Sequence, residues 1–116
     1  MTLTAIDLRQ LTGTKNWCKY PLISGYAYTD GVRYAAAEGE AYWLLNAIFS
    51  HQLHPKVKAE PFQVWTLTTT DSSANLTCED SNGNQVTQQD ISYTDFPLPK
   101  ISFYLINKIL LLTSEY

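Results

Sequence analysis

Asn82-Gly83 lies between two strand-like runs, Leu76-Thr77-Cys78-Glu79 and Val86 to Tyr93. It is a strong hairpin signal, because both central positions of a type I′ turn need positive φ. A hairpin here commits the second half of the chain to an antiparallel sheet. Upstream, Phe62 to Thr69 carries apolar residues on both faces, the pattern of a central strand. Asp71-Ser72-Ser73 turns the chain back, and Pro97 and Pro99 end the pairing of the third strand. Ile101 to Ile106 and Ile109 to Thr113 flank Asn107-Lys108 as a last hairpin.

The first half follows a helical pattern. Thr4-Ala5-Ile6-Asp7 has capping-box spacing and Gly13 can close the helix, so residues 4–12 are expected to be helical. Trp17 to Leu22 and Gly25 to Tyr28 are punctuated by Pro and Gly and read as loop or irregular strand. Thr29 and Asp30 are N-cap types before a short helix over 30–37, interrupted at Gly39. Residues 40–53 read as the main helix, apolar around most of its circumference, with Asn46 and Ser50 as its polar stripe and Pro55 as its stop. Lys56 to Glu60 is a polar connector. The expected class is α+β: short N-terminal helices and one main helix packed on an antiparallel sheet of about five strands. Residues 1–116 form one domain in this reading, mainly helical to residue 60 and sheet from 61.

Charge narrows the partners. The formal net charge is −3 and the eight Lys and Arg are scattered, which argues against a protein that tracks phosphates, so no nucleic acid is expected. Charged residues are only 16% of the chain, whereas Tyr occurs eight times beside three Trp and four Phe. Aromatics at that level fill a small core and also suit contact surfaces. Cys18 and Cys78 make neither a secreted disulfide framework nor a Cys-x-x-Cys pair, and read as small core or edge residues in a reducing compartment. Met1 to Asp7 lacks the basic start and apolar stretch of an export signal. Ile101 to Leu112 is broken by Asn107-Lys108 and is too short to span a bilayer. A cytoplasmic protein with no membrane partner is expected.

The motifs that carry chemistry are thin. His51 and His54, three apart at a helix end, can share a face, but a zinc site wants a third ligand and preferably His-Glu-x-x-His spacing. Two histidines that complement a helix C-terminus explain the pair more simply. Asp80 to Asn84 resembles the start of a calcium loop, yet Gly83 falls at position 4 and Ile91 at position 12, which fails the spacing. No Gly-x-Ser-x-Gly elbow or Gly-rich phosphate loop is present. No catalytic residue, metal or cofactor is therefore assigned.

Tyr28-Thr29-Asp30-Gly31-Val32, Ala41-Tyr42-Trp43-Leu44-Leu45, Ser50-His51-Gln52, Phe62-Gln63-Val64-Trp65, Cys78-Glu79-Asp80, Gln89 to Pro97 and Leu111 to Tyr116 together carry a resemblance. With these motifs the chain resembles, over nearly its whole length, a family of small bacterial proteins of unknown function found in cyanobacteria, plasmids and phages. The resemblance implies no reaction, cofactor or site residue. Two positions depart from its pattern: Lys108, where a turn Gly is usual, and Thr113, where Pro often precedes Ser-Glu-Tyr.

The expected function is a protein-binding accessory module of a mobile element or phage, with inhibition of a host defence protein as its sharper form. Tyr26, Tyr28, Tyr93 and Tyr116 are its candidate contact residues, because each is read into a loop or a strand or chain end. A homodimer is the other association to consider. The alternative is a small metal-dependent hydrolase or nuclease using His51 and His54 with Asp80 or Asp30.

Overall fold

A computed structural model describes residues 17–116 of the protein. The helix expected over 4–12 lies outside the described residues. Seven strands form one sheet: β1 (Trp17–Lys19), β2 (Ala27–Thr29), β3 (Phe62–Thr70), β4 (Ser73–Glu79), β5 (Gln85–Ile91), β6 (Lys100–Ile106) and β7 (Ile109–Leu112). Their spatial order is β1-β2-β7-β6-β3-β4-β5. The five strands from β3 to β7 match the expected runs, and every pairing among them is antiparallel.

The first half adds two strands to that sheet, which corrects the division at residue 60. β2 runs parallel to β7, with Tyr28 opposite Leu110, and β1 pairs antiparallel with β2. Three residues are too short for an alternation to show, and the β2–β7 pairing joins segments more than eighty residues apart.

Asn82-Gly83 closes the β4–β5 hairpin, but not as a type I′ turn. Only Gly83 has positive φ, at 84°, and its N–H donates to the Asp80 carbonyl at 3.1 Å. The Asp80 N–H in turn donates to the Asn84 carbonyl at 2.9 Å. This is a turn over residues 80–83 followed by a left-handed glycine, the three-residue hairpin loop. Asp80 favours it because its Oδ1 accepts from the N–H groups of Asn82 and Asn84, both at 2.9 Å. The type I′ pair lies instead at Asn107-Lys108, where φ is 51° and 67°.

Helix α1 spans Asp30–Glu38 and α2 spans Tyr42–His51. Thr29 caps α1, its Oγ1 accepting from the Val32 N–H at 3.1 Å. The main helix was expected from residue 40, but residues 39–41 form the exit from α1. The Ala41 N–H donates to the Ala36 carbonyl at 2.8 Å and the Glu40 N–H to the Ala37 carbonyl at 3.3 Å, a Schellman ending. Glu40, not Gly39, takes the left-handed position, with φ 51°. Pro55 does more than stop a helix: it opens a single turn, α3 (Pro55–Lys58), inside the expected connector.

The helices cover one face of the sheet. Trp65 and Leu67 of β3, Leu76 and Cys78 of β4, Phe103 and Leu105 of β6, and Leu110 and Leu112 of β7 are all buried there. Val32, Leu44, Leu45, Ile48, Phe49 and Val57 pack on them from the helices.

A buried polar side chain interrupts this apolar face. Gln63 is 2% exposed and forms a reciprocal amide pair with Gln52, each Nε2 donating to the other's Oε1 at 2.9 Å. Its Nε2 also donates to the carbonyls of Val57 (2.9 Å) and Glu60 (3.1 Å). Its Oε1 accepts a second bond from Trp65 Nε1 at 2.8 Å. Gln52 Nε2 closes the network on the Ile48 carbonyl at 3.2 Å. The end of α2, the turn of α3 and the start of β3 are thereby held together.

The hairpin geometry gives a direct test at Gly83. A Cβ there meets nothing within 4 Å, so any cost comes from the backbone alone. Gly83→Val should destabilise by about 1–3 kcal/mol in equilibrium denaturation, since a β-branched residue resists positive φ. An unchanged midpoint would contradict this conformation.

Candidate contact surface

Phe49 collects three tyrosines. Tyr20 stacks on it at 4.3 Å between ring centroids, Tyr26 meets it edge-on at 5.8 Å, and Tyr28 lies at 6.4 Å. The Tyr20 hydroxyl donates to Asn46 Oδ1 at 2.8 Å, so the polar stripe of α2 serves an internal bond. Burial pushes all three phenols above their ordinary range. Tyr26, at 7% exposure, is a core residue, which corrects its expected place on an open loop. Tyr28 is half-buried, turned toward the helices by the strand β2 that its segment forms.

Tyr93 and Tyr116 are exposed, at 72% and 76%. They do not share a surface. The backbone beside Tyr93 joins the β3–β4 turn through the Thr94 N–H and the Ser72 carbonyl, whereas Tyr116 packs on Phe62 at the other end of β3. Eight residue steps along β3 amount to about 26 Å.

Tyr116 belongs to an aromatic triad. Its ring lies 5.9 Å from Phe62 and 5.3 Å from Tyr104, both edge-on, and Phe62 and Tyr104 are 5.2 Å apart. Strand alternation puts Phe62, Val64 and Tyr104 on the sheet face away from the helices, because Gln63, Trp65 and Phe103 face them. Ile106, opposite Phe62, and Leu111, opposite Tyr104, extend this face. Phe62 and Tyr104 were not among the expected contact residues; the two-faced apolar pattern of Phe62 to Thr69 was the signal that β3 carries an apolar outer face.

The last residues are held by a carboxylate. Glu115 Oε1 accepts from Thr29 Oγ1 at 2.6 Å and from the Leu112 N–H at 2.9 Å. It rests on Gly31, where an added Cβ would lie 2.6 Å from the carboxylate carbon, so only glycine lets it approach. A negative charge beside the first turn of α1 is also favoured by the helix dipole. Thr29-Asp30-Gly31 and Ser114-Glu115-Tyr116 are thus two halves of one clasp, and the clasp places Tyr116.

The histidines are separately engaged. His51 Nε2 is 2.8 Å from Gln89 Oε1, and its ring lies 5.4 Å from that of Trp65. His54 precedes α3 and its carbonyl accepts from the N–H groups of Val57 and Lys58. Asp80 serves its own hairpin: backbone hydrogen bonds, from Asn84 first, hold its carboxyl below the usual range. Among the described residues, no group of three or more His, Cys, Asp or Glu is placed to hold a metal ion.

Cys18 and Cys78 are both free. Five strand spacings separate β1 from β4, about 24 Å, far beyond disulfide reach. Burial, then the nearby Glu60, Glu79 and Asp80, pushes the Cys78 thiol up to about 12. An aromatic disulfide reagent at pH 8 should therefore label Cys18 alone in the native protein and both thiols in denaturant. Rapid native labelling of Cys78 would contradict its burial.

Among the described residues no helix is long and apolar enough to cross a membrane. A comparison with curated proteins and another with solved structures each found no match. A family model does match, over residues 2–116, and it spans both the Thr29–Gly31 and Ser114–Tyr116 halves of the clasp. The chain belongs to DUF6876, a family of unknown function.

Proposed function

We propose that this protein is a small cytoplasmic module that binds another protein through the aromatic sheet face around Tyr116. The observation that carries the reading is the Phe62–Tyr104–Tyr116 triad, with Tyr116 76% exposed at its outer edge. Rings packed edge-to-face on one another offer large contact area while losing little rotamer freedom on binding. The Glu115 clasp supports the reading, because it fixes the approach of Tyr116 before any partner arrives. The resemblance noted in the sequence adds the finer proposal, an accessory protein of a bacterial phage or plasmid whose partner is a host defence protein.

Affinity capture from the native host tests this, with wild-type protein beside Tyr116→Ala and Tyr93→Ala. Tyr116→Ala should leave the far-UV spectrum unchanged and weaken capture by about thirtyfold or more, the scale of an aromatic anchor. Tyr93→Ala, at the other end of the sheet, should be silent. Loss with Tyr93→Ala and retention with Tyr116→Ala would place the contact elsewhere.

A further inference from the structure

A cavity of about 190 Å³ opens beside the glutamine pair, where α3, the start of β3 and the β6–β7 turn meet. Gln52 and Gln63 line it, and the network described above leaves both amides fixed in orientation. Gln63 Oε1 already accepts two bonds, but Gln52 Oε1 accepts only one among the described residues and retains a lone pair. Tyr26 also lines the cavity, and no hydrogen bond to its hydroxyl is formed among the described residues.

Two cations complete the wall. Lys58 comes from α3 and Lys108 from the turn, and Glu60 also lines the cavity. Neither lysine forms an ion pair among the described residues. Their formal charges and that of Glu60 sum to +1, in a chain whose net charge is −3. Lys108 holds a left-handed φ of 67°, which an L side chain adopts at a cost and glycine does not. Its Nζ lies 5.8 Å from the Tyr26 ring centroid, so the ammonium is folded back over that ring. The strained residue is thus the one whose charge lines the cavity, a coincidence that strain at functional positions leads one to test.

We infer that this cavity binds a small organic anion, with its carboxylate or phosphate group between Lys58 and Lys108. Lysine serves such a group as a point charge with rotatable donors. The free lone pair of Gln52 Oε1 then takes a hydroxyl or amide donor of the same ligand. The volume is of the size that a small metabolite fills.

The test is an amide-resolved NMR titration of the full chain with inorganic phosphate and, separately, acetate, against sodium chloride at equal ionic strength. Saturable shifts are expected at Tyr26, Gln52, Gln63, Asn107 and Lys108 with one or both anions, and not with chloride. The anion that binds more tightly separates a phosphate ligand from a carboxylate one. Lys108→Asn keeps a residue that tolerates the left-handed turn and should weaken binding about tenfold or more, whereas Lys108→Arg should retain it. Lys58→Gln should weaken it similarly. Shifts that match those of chloride, or Lys108→Asn binding as well as wild type, would overturn the inference. Capture of a protein partner through Tyr116 is read separately, so either proposal can fail alone.

Discussion

A primary amide on the covered face of a sheet destabilises the fold unless each hydrogen bond lost from water is returned inside the protein. Gln63 meets that condition through Gln52, Trp65 and two carbonyls of the α3 segment. The consequence is structural as well as energetic. Residues 52–60 carry few apolar anchors besides Val57, so it is the amide that fixes their path. That path sets where Lys58 and Glu60 stand, and so the wall of the cavity.

A second constraint acts where β2 gives way to α1. Thr29 caps α1 and donates to Glu115 with the same hydroxyl oxygen, while Gly31 leaves room for the carboxylate. One small region therefore joins a helix start, the end of β2 and the chain's last turn. The aromatic face inherits its geometry from this clasp. Loosening the clasp would free Tyr116 without disturbing Phe62 or Tyr104, which their own strands hold.

Much of the sheet was legible because its signals are local. Phe62 to Thr70 alternates over enough residues to show two faces, and Asn82-Gly83 and Asn107-Lys108 each sit between two strand-like runs. The turn type at Asn82-Gly83 was not legible, because Asp80 reaches over Asn82 and draws the left-handed position onto Gly83 alone. Helix limits failed where a residue took an unexpected backbone role: Glu40 in the left-handed cap, and Pro55 opening a turn. Tyr28 was misplaced for a related reason, since a three-residue strand becomes interior only through its distant partner β7, and Tyr26, just before that strand, is covered by contact with Phe49. Tyr116 and Tyr93 stand at chain and strand ends, where local reading suffices. The cavity joins residues from four separate segments, and nothing in their order along the chain announces it.

The dependence of this architecture on one amide is measured most directly by equilibrium denaturation of Gln63→Leu. Leucine fills similar space but strands the Trp65 N–H and Gln52 Oε1, takes one acceptor from Gln52 Nε2, and removes one donor each from the Val57 and Glu60 carbonyls. The account predicts a loss of about 3 kcal/mol or more, with amide exchange quickening first across residues 52–60. A variant as stable as the wild type, with exchange there unchanged, would contradict it.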